Sequence, residues 1–442
     1  MRSLPAINSQ PIHSNPEPPR IRIAQYGHAL PSVLLALMAL LAAPARAATP
    51  MLQGLLTPPT PEFRALHPEP KVLARSALLA DAGTHTVLWA RNPYERLPMA
   101  SLTKVMTALL LIENARPDEV VTTPLEATLA ETSSLNLRCG EQISVHDLLY
   151  AILLRSANDA CVAAAYHVSG SVPAFAALMN RRARQLGCTD TSFVNPNGLP
   201  AQGHYSTAAD LARITLEAIR YPVFNRIVAT RKYVVTRSMN QEDRVVTSHC
   251  KLLGRYQGAD GVKTGYTRAA GHCFIGTATR YGRRLMVVIL NSPDMWGDAK
   301  RLLDYGFAAF DRQLLVAPGQ YAGAVPVTGG LARAVRVMAG RQIMASVPRG
   351  VRLPVRLSPT APDAAAPLRR GQRIGVVRVY AGNALVGTVP AIAAADLPAL
   401  PGAGWHHPWI AAFLLLLAIA RYRAEVAAKR RRARLRRLRN GD

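Results

Sequence analysis

Ser101 and Lys104 stand three residues apart at the start of an apolar run that extends to Ile112. No proline interrupts this run, so it predicts a helix, and residues three apart lie on the same face of a helix. The Lys104 amine would then lie one turn from the Ser101 hydroxyl. A serine hydroxyl becomes a useful nucleophile when a base lies within hydrogen-bond reach, and a lysine can be that base when burial lowers its pKa. The spacing therefore indicates a serine nucleophile with a lysine base.

Two tripeptides further along the chain could complete such a site. Ser156-Ala157-Asn158 lies between two predicted helices, and Lys263-Thr264-Gly265 lies on a predicted strand. Taken alone, the first is equally typical of a helix cap, and the second of a solvated lysine that protects an edge strand. Together with Ser101 and Lys104, the two tripeptides supply three hydroxyls, an amide and two amines. A second cation near Lys104 would lower its pKa further.

The predicted secondary structure changes along the chain from strands to helices and then back to strands. Two short strands flank a turn at 81–84, and a block of helices follows, beginning with the helix of Ser101. The later helices are predicted from Ser144, from Asp159, over 173–186, and from Ser206 or Thr207. Three further strands are predicted at 261–267, 272–280 and 285–290, and a last helix is predicted at 296–310. This order predicts an α/β (α+β) domain in which an antiparallel sheet, its first strands paired to its last, lies beside a helical cluster.

The chain after Pro318 has a different composition, rich in valine, glycine and proline with short alternating runs, which predicts a small all-β domain. The predicted order is a signal peptide (1–47), a leader segment (48–73), the α+β domain (74–312), the small β domain (316–396), a linker (397–407), a membrane anchor (408–422) and a basic cytoplasmic tail (423–442).

The first 47 residues have the features of a signal peptide. Arg20 and Arg22 precede an apolar run over 33–41, and Ala45-Arg46-Ala47 is a small-x-small cleavage site. An uncleaved N-terminal anchor is the alternative. Either form predicts that the following domain is exported.

Charge and cysteine content exclude several classes of function. Lys and Arg exceed Asp and Glu by 26, but residues 421–442 alone contain ten Lys or Arg against two Asp or Glu. The rest of the excess is spread thinly and does not alternate with aromatic residues, which argues against nucleic acid as a partner. The five cysteines contain no C-x-x-C pair, so we expect mostly buried thiols and no metal site. No phosphate-binding glycine loop is present, and no cofactor is predicted.

The three motifs in this order form the set found in penicillin-binding proteins and class A β-lactamases. The sequence resembles the low-molecular-mass penicillin-binding proteins, the serine-type D-alanyl-D-alanine carboxypeptidases, over about residues 74–310. The segments that carry this resemblance are 99–107, 156–161, 195–199, 204–206 and 260–267. Residues 366–368 and 371–375 resemble that family's C-terminal domain more loosely. The chain departs from the family at Ser248-His249-Cys250, where asparagines are usual.

The resemblance implies a hydrolase that removes the terminal D-alanine from peptidoglycan stem peptides and that β-lactam antibiotics acylate. Ser101 would attack the carbonyl of the penultimate D-alanine, with Lys104 as general base. Ser156 would relay the proton to the leaving amine. The backbone N–H groups of Ser101 and Tyr266 would form the oxyanion hole.

The same resemblance implies how the substrate is held. Lys263 and Thr264 would bind its terminal carboxylate, and Asn158 would hold its backbone amide. Lys263 would also keep Lys104 neutral by like-charge repulsion. Gly265 has no side chain, so a substrate strand could lie close along this edge of the sheet.

Three other functions stay open. A D,D-endopeptidase that cuts peptidoglycan cross-links uses the same motifs, although the β domain is the usual companion of a carboxypeptidase. A β-lactamase needs a carboxylate to activate the deacylating water, and no clear glutamate lies in a matching loop between Asn158 and Lys263. A non-catalytic penicillin-binding or wall-binding module would have no reason to retain Ser101 and both lysines. The carboxypeptidase is therefore the favoured function.

The apolar run from Pro408 to Ala420 predicts a membrane helix. A straight helix needs about 20 residues to cross the hydrocarbon core, and Gly402 to Tyr422 nearly reaches that length. Leu414–Leu417 show no polar face, which favours a spanning helix over one on the surface. The arginine-rich tail would then lie in the cytoplasm, and the enzyme domain on the periplasmic, outer face of the cytoplasmic membrane.

Overall fold

A five-stranded antiparallel sheet with helices on both faces forms the part of the protein before residue 310. The computed structural model describes residues 52–56, 58–400 and 408–439. The predicted signal peptide (1–47) lies outside these residues. The strands of this part are β1 (Ser76–Asp81), β2 (Thr86–Arg91), β3 (Val120–Thr122), β4 (Gln142–Ser144), β5 (Lys232–Val234), β6 (Val245–Thr247), β7 (Ala259–Thr267), β8 (Gly271–Arg280) and β9 (Arg283–Ser292). The helices are α1 (Pro61–Leu66), α2 (Lys104–Asn114), α3 (Leu125–Thr128), α4 (Val145–Tyr150), α5 (Asn158–Ser169), α6 (Val172–Gln185), α7 (Ala208–Ala218), α8 (Pro222–Val228) and α9 (Met295–Ala309).

The sheet has the strand order β2-β1-β9-β8-β7, so its first strands pair with its last, as the sequence predicts. Ala77 of β1 lies opposite Arg91 of β2 on one side and opposite Ile289 of β9 on the other. Strand β7, which carries the Lys263 motif, lies at the far edge beside β8. An edge strand leaves a row of backbone N–H and C=O groups that an extended peptide can pair with.

Apolar layers cover both faces of this sheet. Neighbouring residues of a strand point to opposite faces, and in β9 Val288 packs into the helical cluster whereas Val287 packs on the side of α9. All six residues of Leu285–Leu290 are buried as a result. Burial on both faces explains why this strand reads as a continuous apolar run rather than an alternating one.

The helical cluster begins and ends where the sequence signals predict. The Ser144 hydroxyl accepts a hydrogen bond from the Asp147 N–H at 3.0 Å and begins α4, and the Thr207 hydroxyl accepts from the Asp210 N–H at 3.1 Å and begins α7. Gly187, with φ +74°, follows α6. The two hydroxyls pair with backbone N–H groups that the helix itself leaves unpaired. The left-handed glycine lets the chain turn away at the end of its helix.

The β5–β6 hairpin and helix α8 were not predicted from the sequence. The hairpin is fixed by tertiary contacts: the Tyr233 ring stacks on Tyr150 with centroids 3.6 Å apart, and its hydroxyl donates to Asp147 at 2.8 Å. Such contacts leave no local pattern, because strand formation depends on the neighbours that a residue packs against.

The second part of the chain is an all-β domain, as predicted, and its first strand begins at Phe310. Its strands are β10 (Phe310–Val316), β11 (Tyr321–Pro326), β12 (Ala334–Ala339), β13 (Ile343–Pro348), β14 (Val355–Thr360), β15 (Arg373–Ala381) and β16 (Ala384–Ala393). Five of them form a sheet of order β11-β12-β16-β15-β14, and β10 pairs with β13. Alternate valines fill the core between them, among them Val337, Val377 and Val389.

A buried carboxylate joins the two parts of the chain. Asp81, at the end of β1, accepts hydrogen bonds from Arg283 Nε and Arg312 Nε, both at 2.9 Å. Burial alone would raise the pKa of Asp81, but the two guanidinium groups outweigh it and hold the pKa below its usual value. Because Arg312 belongs to β10, this pair of contacts ties the β domain to the central sheet.

The cysteines are as predicted. Cys161, Cys188, Cys250 and Cys273 are buried free thiols, and Cys139 is an exposed one.

The C-terminal helix α10 (Pro408–Arg439) is longer than predicted and does not support a membrane span. Within the described residues no single helix is both long and apolar enough to cross a membrane. Arg421 and Arg423 end the apolar run that begins at Pro408, and 402–407 lie outside the described ranges. The described residues therefore give no support to the spanning helix predicted from the sequence, part of which lies outside them.

Candidate active site

Ser101 lies in a 3-10 turn, Ala100–Thr103, that runs directly into α2. Lys104 is the first residue of α2, and its Nζ donates a hydrogen bond to the Ser101 Oγ at 2.9 Å. The predicted one-turn arrangement is confirmed, with the difference that the first turn is 3-10 rather than α. Ala100 has a left-handed φ of +48°, which is unfavourable for a residue with a Cβ and must be held by its surroundings.

His204 holds this turn in place. The Val194 N–H donates to His204 Nδ1 at 3.0 Å, and His204 Nε2 lies 2.9 Å from the Thr103 hydroxyl, which donates to the Ala100 carbonyl at 2.8 Å. Since a backbone N–H can only donate, Nδ1 accepts and the proton sits on Nε2. Burial lowers the pKa of His204 to about 4, so the ring stays neutral near pH 7. Sequence reasoning noted His204 only as part of a family motif and assigned it no role.

The Lys104 amine is completely enclosed. Besides Ser101 Oγ, its Nζ donates to Asn158 Oδ1 at 2.6 Å and to the Asn197 carbonyl at 2.7 Å. Burial lowers the pKa of Lys104 to about 8, while Cys161 and Asp159 act in the opposite direction. A substantial neutral fraction therefore exists near neutral pH, and a neutral amine can accept the proton of a serine hydroxyl.

Lys263 is the second buried amine of the site. It is 1% exposed, and its Nζ donates to the carbonyl of Thr264 at 2.9 Å. Burial first and the neighbouring Lys104 second lower the pKa of Lys263 to about 7. Burial is the main cause of the lowered pKa of Lys104 as well, and the repulsion between the two amines acts on both, because each disfavours protonation of the other.

Ser156 and Asn158 end up in different environments. Ser156, in a left-handed conformation after a π turn (Ala151–Arg155), lines the cleft beside Ser101. Asn158 is buried, and its Nδ2 donates to the Glu131 carbonyl at 2.8 Å and to the Thr132 hydroxyl at 2.9 Å. With its Oδ1 on Lys104, the whole amide is occupied. The structure thus shows that Asn158 orients Lys104, and the contact of Asn158 with the substrate amide stays a prediction.

Gly265 packs against the nucleophile turn. A Cβ added to Gly265 would lie 3.0 Å from the Ser101 nitrogen and 3.1 Å from the Met99 carbonyl oxygen. The sequence prediction attributed this glycine to close approach of the substrate. The structure gives a different reason: the missing side chain lets β7 and the Ser101 turn approach one another.

Replacing Gly265 by alanine is expected to slow acylation of Ser101 about tenfold or more. The new methyl group would displace the Ser101 backbone by a few tenths of an ångström, and small misplacements of reacting groups cost large factors in rate. Acylation by a fluorescent penicillin measures the effect. Gly54→Ala is the matched control, because nothing lies within 4 Å of a Cβ at that position. An unchanged rate in Gly265→Ala would contradict this account of the close packing.

An open cleft of about 370 Å³ lies over the Ser101 hydroxyl. It is lined by the predicted residues Ser101, Ser156, Thr264, Gly265 and Tyr266, together with Ser133, His249, Lys251, His272, Met295 and Trp296. The sequence did not assign the latter six, although the departure from the family at 248–250 pointed toward His249. A second depression of about 280 Å³ shares Ser133 and His249 with this cleft, so the groove continues past Ser101.

The arrangement can perform acyl transfer. It presents an oxygen nucleophile with a buried amine on it, a second hydroxyl, and an edge strand beside both. Within the described ranges, no three His, Cys, Asp or Glu side chains come together in a way that could hold a metal ion.

Two family models match the chain. Residues 63–294 match the family described as D-alanyl-D-alanine carboxypeptidase, and residues 310–399 match the C-terminal domain of penicillin-binding protein 5. The boundary between the two matches falls at helix α9 and the start of β10.

Individual relatives agree with these matches. The D-alanyl-D-alanine carboxypeptidase DacC of Escherichia coli is 31% identical over 324 residues, which span 70% of this chain and 80% of DacC. DacB2 of Mycobacterium tuberculosis, of the same description, is 36% identical over 249 residues, 54% of this chain and 84% of DacB2. The solved structure of penicillin-binding protein 5 from Haemophilus influenzae is similar with a TM-score of 0.62 and 29% identity, covering 74% of this chain and 98% of that one.

Proposed function

The chain belongs to the D-alanyl-D-alanine carboxypeptidase family, the serine-type low-molecular-mass penicillin-binding proteins, and from this we propose that it removes the terminal D-alanine from peptidoglycan stem pentapeptides through an acyl-serine on Ser101. The observation that carries the proposal is the 2.9 Å hydrogen bond between the Lys104 amine and the Ser101 hydroxyl, at the floor of an open cleft. Penicillins would acylate the same hydroxyl.

Acylation begins when Ser101 Oγ attacks the carbonyl carbon of the penultimate D-alanine and neutral Lys104 takes the hydroxyl proton. The carbonyl oxygen becomes an oxyanion, which the backbone N–H groups of Ser101 and Tyr266 stabilise; one such donor typically contributes about 3–4 kcal/mol to lowering the barrier. The C–N bond then breaks. The proton passes from Lys104 through the Ser156 hydroxyl to the leaving amine, and D-alanine departs.

Deacylation uses the same groups, with water in place of Ser101 as the nucleophile. A water molecule attacks the ester carbonyl, its proton goes to Lys104, and the Ser101 oxygen leaves as the hydroxyl when that proton returns to it. The hydrogen bonds from Lys104 to Asn158 and to the Asn197 carbonyl keep the amine in place through both steps.

Recognition of a free carboxylate would make the enzyme an exopeptidase. Thr264 lines the cleft, and Lys263, the residue before it in β7, has a buried side chain whose Nζ donates to the Thr264 carbonyl. Burial lowers the pKa of Lys263 to about 7, and a bound carboxylate would raise it again, because an opposite charge favours the protonated amine. Substrate binding would therefore charge Lys263, and that charge would in turn favour the neutral form of Lys104.

Three peptides test this function. A pentapeptide ending in D-Ala-D-Ala should release D-alanine. The same peptide amidated at its C-terminus should react at least tenfold more slowly, because the carboxylate that Lys263 and Thr264 bind is lost. Cleavage of a cross-linked dimer at a rate equal to that of the pentapeptide would instead favour the endopeptidase, and no release from any of them would refute the proposed activity.

The protein would work outside the cytoplasm, attached to the outer face of the cytoplasmic membrane. The signal-like segment before residue 47 supports export. In α10, Phe413, Leu414–Leu417 and Ile419 are exposed, and Arg421 and Arg423 follow at once. An exposed apolar helix segment beside arginines has the composition of a helix that lies at a lipid surface, with its apolar side chains among the acyl chains and its cations on anionic head groups.

Washing of membranes tests this attachment. The full-length protein is expected to stay bound in 1 M salt, because buried apolar side chains are not screened, and to come off in alkaline carbonate. A chain truncated after Leu400 should be soluble and keep its activity. Release of the full-length protein by salt would show attachment through charge alone, and retention in carbonate would show a deeper insertion than proposed.

A further inference from the structure

Asp159, the residue that follows the Ser156 motif, binds a loop of the main chain. Its carboxylate accepts hydrogen bonds from the Ser134 hydroxyl at 2.7 Å and from the backbone N–H groups of Leu135 and Leu137, each at 3.0 Å. The Ala160 N–H, in its own helix, donates at 2.9 Å. Asp159 is 1% exposed. Every one of these donors is neutral, so this buried carboxylate is satisfied without an ion pair to any described residue.

The loop that Asp159 holds, residues 131–137, is also the loop that orients Asn158. The Glu131 carbonyl and the Thr132 hydroxyl accept from Asn158 Nδ2, and the Ser133 carbonyl accepts from the Asn158 backbone N–H at 2.7 Å. These acceptors fix which end of the amide faces Lys104. The Asn158 oxygen therefore points at the amine, and a loosened loop would free the amide to turn.

The loop could not keep this shape unaided. Thr132 and Asn136 both have left-handed φ values, of +61° and +56°. Such values are costly for residues with a Cβ and persist where the surroundings fix them. Arg237 donates to the Leu135 carbonyl at 2.8 Å and to the Asn136 carbonyl at 3.0 Å, while Asp159 takes the N–H groups. The loop is thus held through its carbonyls on one side and its N–H groups on the other.

Asp159 is also a buried carboxyl group that acts on the buried amine of Lys104. The titratable groups that act on Lys104 are Cys161 and Asp159 from α5, Lys263 from β7 and His249 from the segment before β7. Arg155 lies on the other side of the loop, where its Nε donates to the Ser134 carbonyl at 2.7 Å. Of the groups around Lys104, Asp159 is the carboxylate, and it raises the pKa of Lys104 against the larger effect of burial.

We propose that Asp159 is a positioning residue of this reaction: its carboxylate holds the 131–137 loop so that Asn158 presents its oxygen to Lys104. The inference rests on the proposed function only in taking Lys104 as the base. Because a carboxylate favours the protonated form of a nearby amine, Asp159 is also expected to raise the pH at which Lys104 becomes a base.

The test is the pH profile of acylation by a fluorescent penicillin, measured for the wild type, Asp159→Asn, Asp159→Glu and Ser134→Ala. The acid limb of the profile is the pH range in which the rate rises as Lys104 loses its proton. In Asp159→Asn this limb should move to lower pH by about one unit, because the carboxylate that favours the protonated amine is gone. The plateau rate should fall about tenfold, since an amide NH₂ would face the N–H donors of the loop. Structural loosening alone would let water reach Lys104 and move the limb to higher pH, so the sign separates the two effects.

The other two variants separate charge from geometry. Ser134→Ala removes two hydrogen bonds, one donated to Asp159 and one accepted from the Asn136 N–H, and it keeps the charge of Asp159. Its acid limb should therefore stay at the wild-type pH, and its plateau should fall less than that of Asp159→Glu. Asp159→Glu keeps the charge but misplaces the carboxylate, so its limb should stay while its plateau falls about tenfold. If Asp159→Asn does not fold, the plateau rate of Asp159→Glu tests the inference.

Two results would overturn the inference. One is a wild-type plateau in Asp159→Asn, and the other is a wild-type plateau in Asp159→Glu. An unchanged acid limb in Asp159→Asn, with a lowered plateau, would support positioning through the loop without an effect of the charge. Labelling of a Ser101→Ala variant would instead refute the proposed function, so the two failures are distinguishable.

Discussion

Replacement of Ser101 by alanine is expected to abolish acylation by penicillin and release of D-alanine from the pentapeptide. The hydroxyl oxygen is the atom that forms the ester bond, and no other group can take its place in the same geometry. The fold should persist, because Lys104 keeps its hydrogen bonds to Asn158 at 2.6 Å and to the Asn197 carbonyl at 2.7 Å. Intact-protein mass spectrometry after incubation with penicillin measures the adduct directly.

Ser156→Ala is the matched control for this loss. Ser156 lines the same cleft, so a variant there should still form the adduct, although more slowly, because only the proton relay is removed. An adduct of normal yield on Ser101→Ala would place the nucleophile elsewhere. An adduct absent from Ser156→Ala and present on Ser101→Ala would exchange the roles of the two serines.

Much of this site could be predicted from the sequence because its parts are local. The spacing of Ser101 and Lys104 sets their distance as soon as a helix forms, and the helix caps at Ser144 and Thr207 are short-range hydrogen bonds. The sheet, too, followed from the order of strand-like and helix-like segments. The helix spacing and the caps depend on residues within a few positions of each other, whereas the pairing of the first strands with the last was inferred from the order of the elements.

The role of Asn158 could not be read in this way. Its amide is oriented by Glu131 and Thr132, some 26 residues earlier in the chain, and by Lys104, 54 residues earlier. No local pattern records such contacts. By contrast, burial was the expected cause of a lowered pKa of Lys104, and it is the main cause in the structure.

At the C-terminus the local apolar pattern did not predict how far the helix extends. An apolar run flanked by tryptophans and arginines predicted a spanning helix, but helix α10 continues through the arginine-rich segment to Arg439. Arginine and alanine are good helix formers, so the helix has no reason to end where the apolar run does. The length of a helix and the length of its apolar segment are separate quantities, and the length of the apolar segment decides whether the helix can span a bilayer.

The rate of acylation is expected to fall about tenfold for each pH unit below about pH 7. Burial lowers the pKa of Lys104 to about 8, and only the neutral amine can accept the Ser101 proton. The sign follows from the charge: acid protonates the base, so activity is present above the pKa and lost as the pH falls through it. A pH profile of penicillin acylation from about pH 5.5 to pH 9 shows the limb, and a flat profile would mean that Lys104 is no base.

Lys104→Arg removes this base while keeping the positive charge, and acylation is expected to fall about 100- to 10,000-fold. A guanidinium group stays protonated throughout the working range, so it can donate to Asn158 and Asn197 but cannot take a proton from Ser101. Lys251→Arg, the same exchange at an exposed lysine that lines the cleft, should change the rate by less than about threefold. Near-normal acylation by Lys104→Arg, with the acid limb still present, would assign the proton transfer to another group and leave Lys104 as a binding residue.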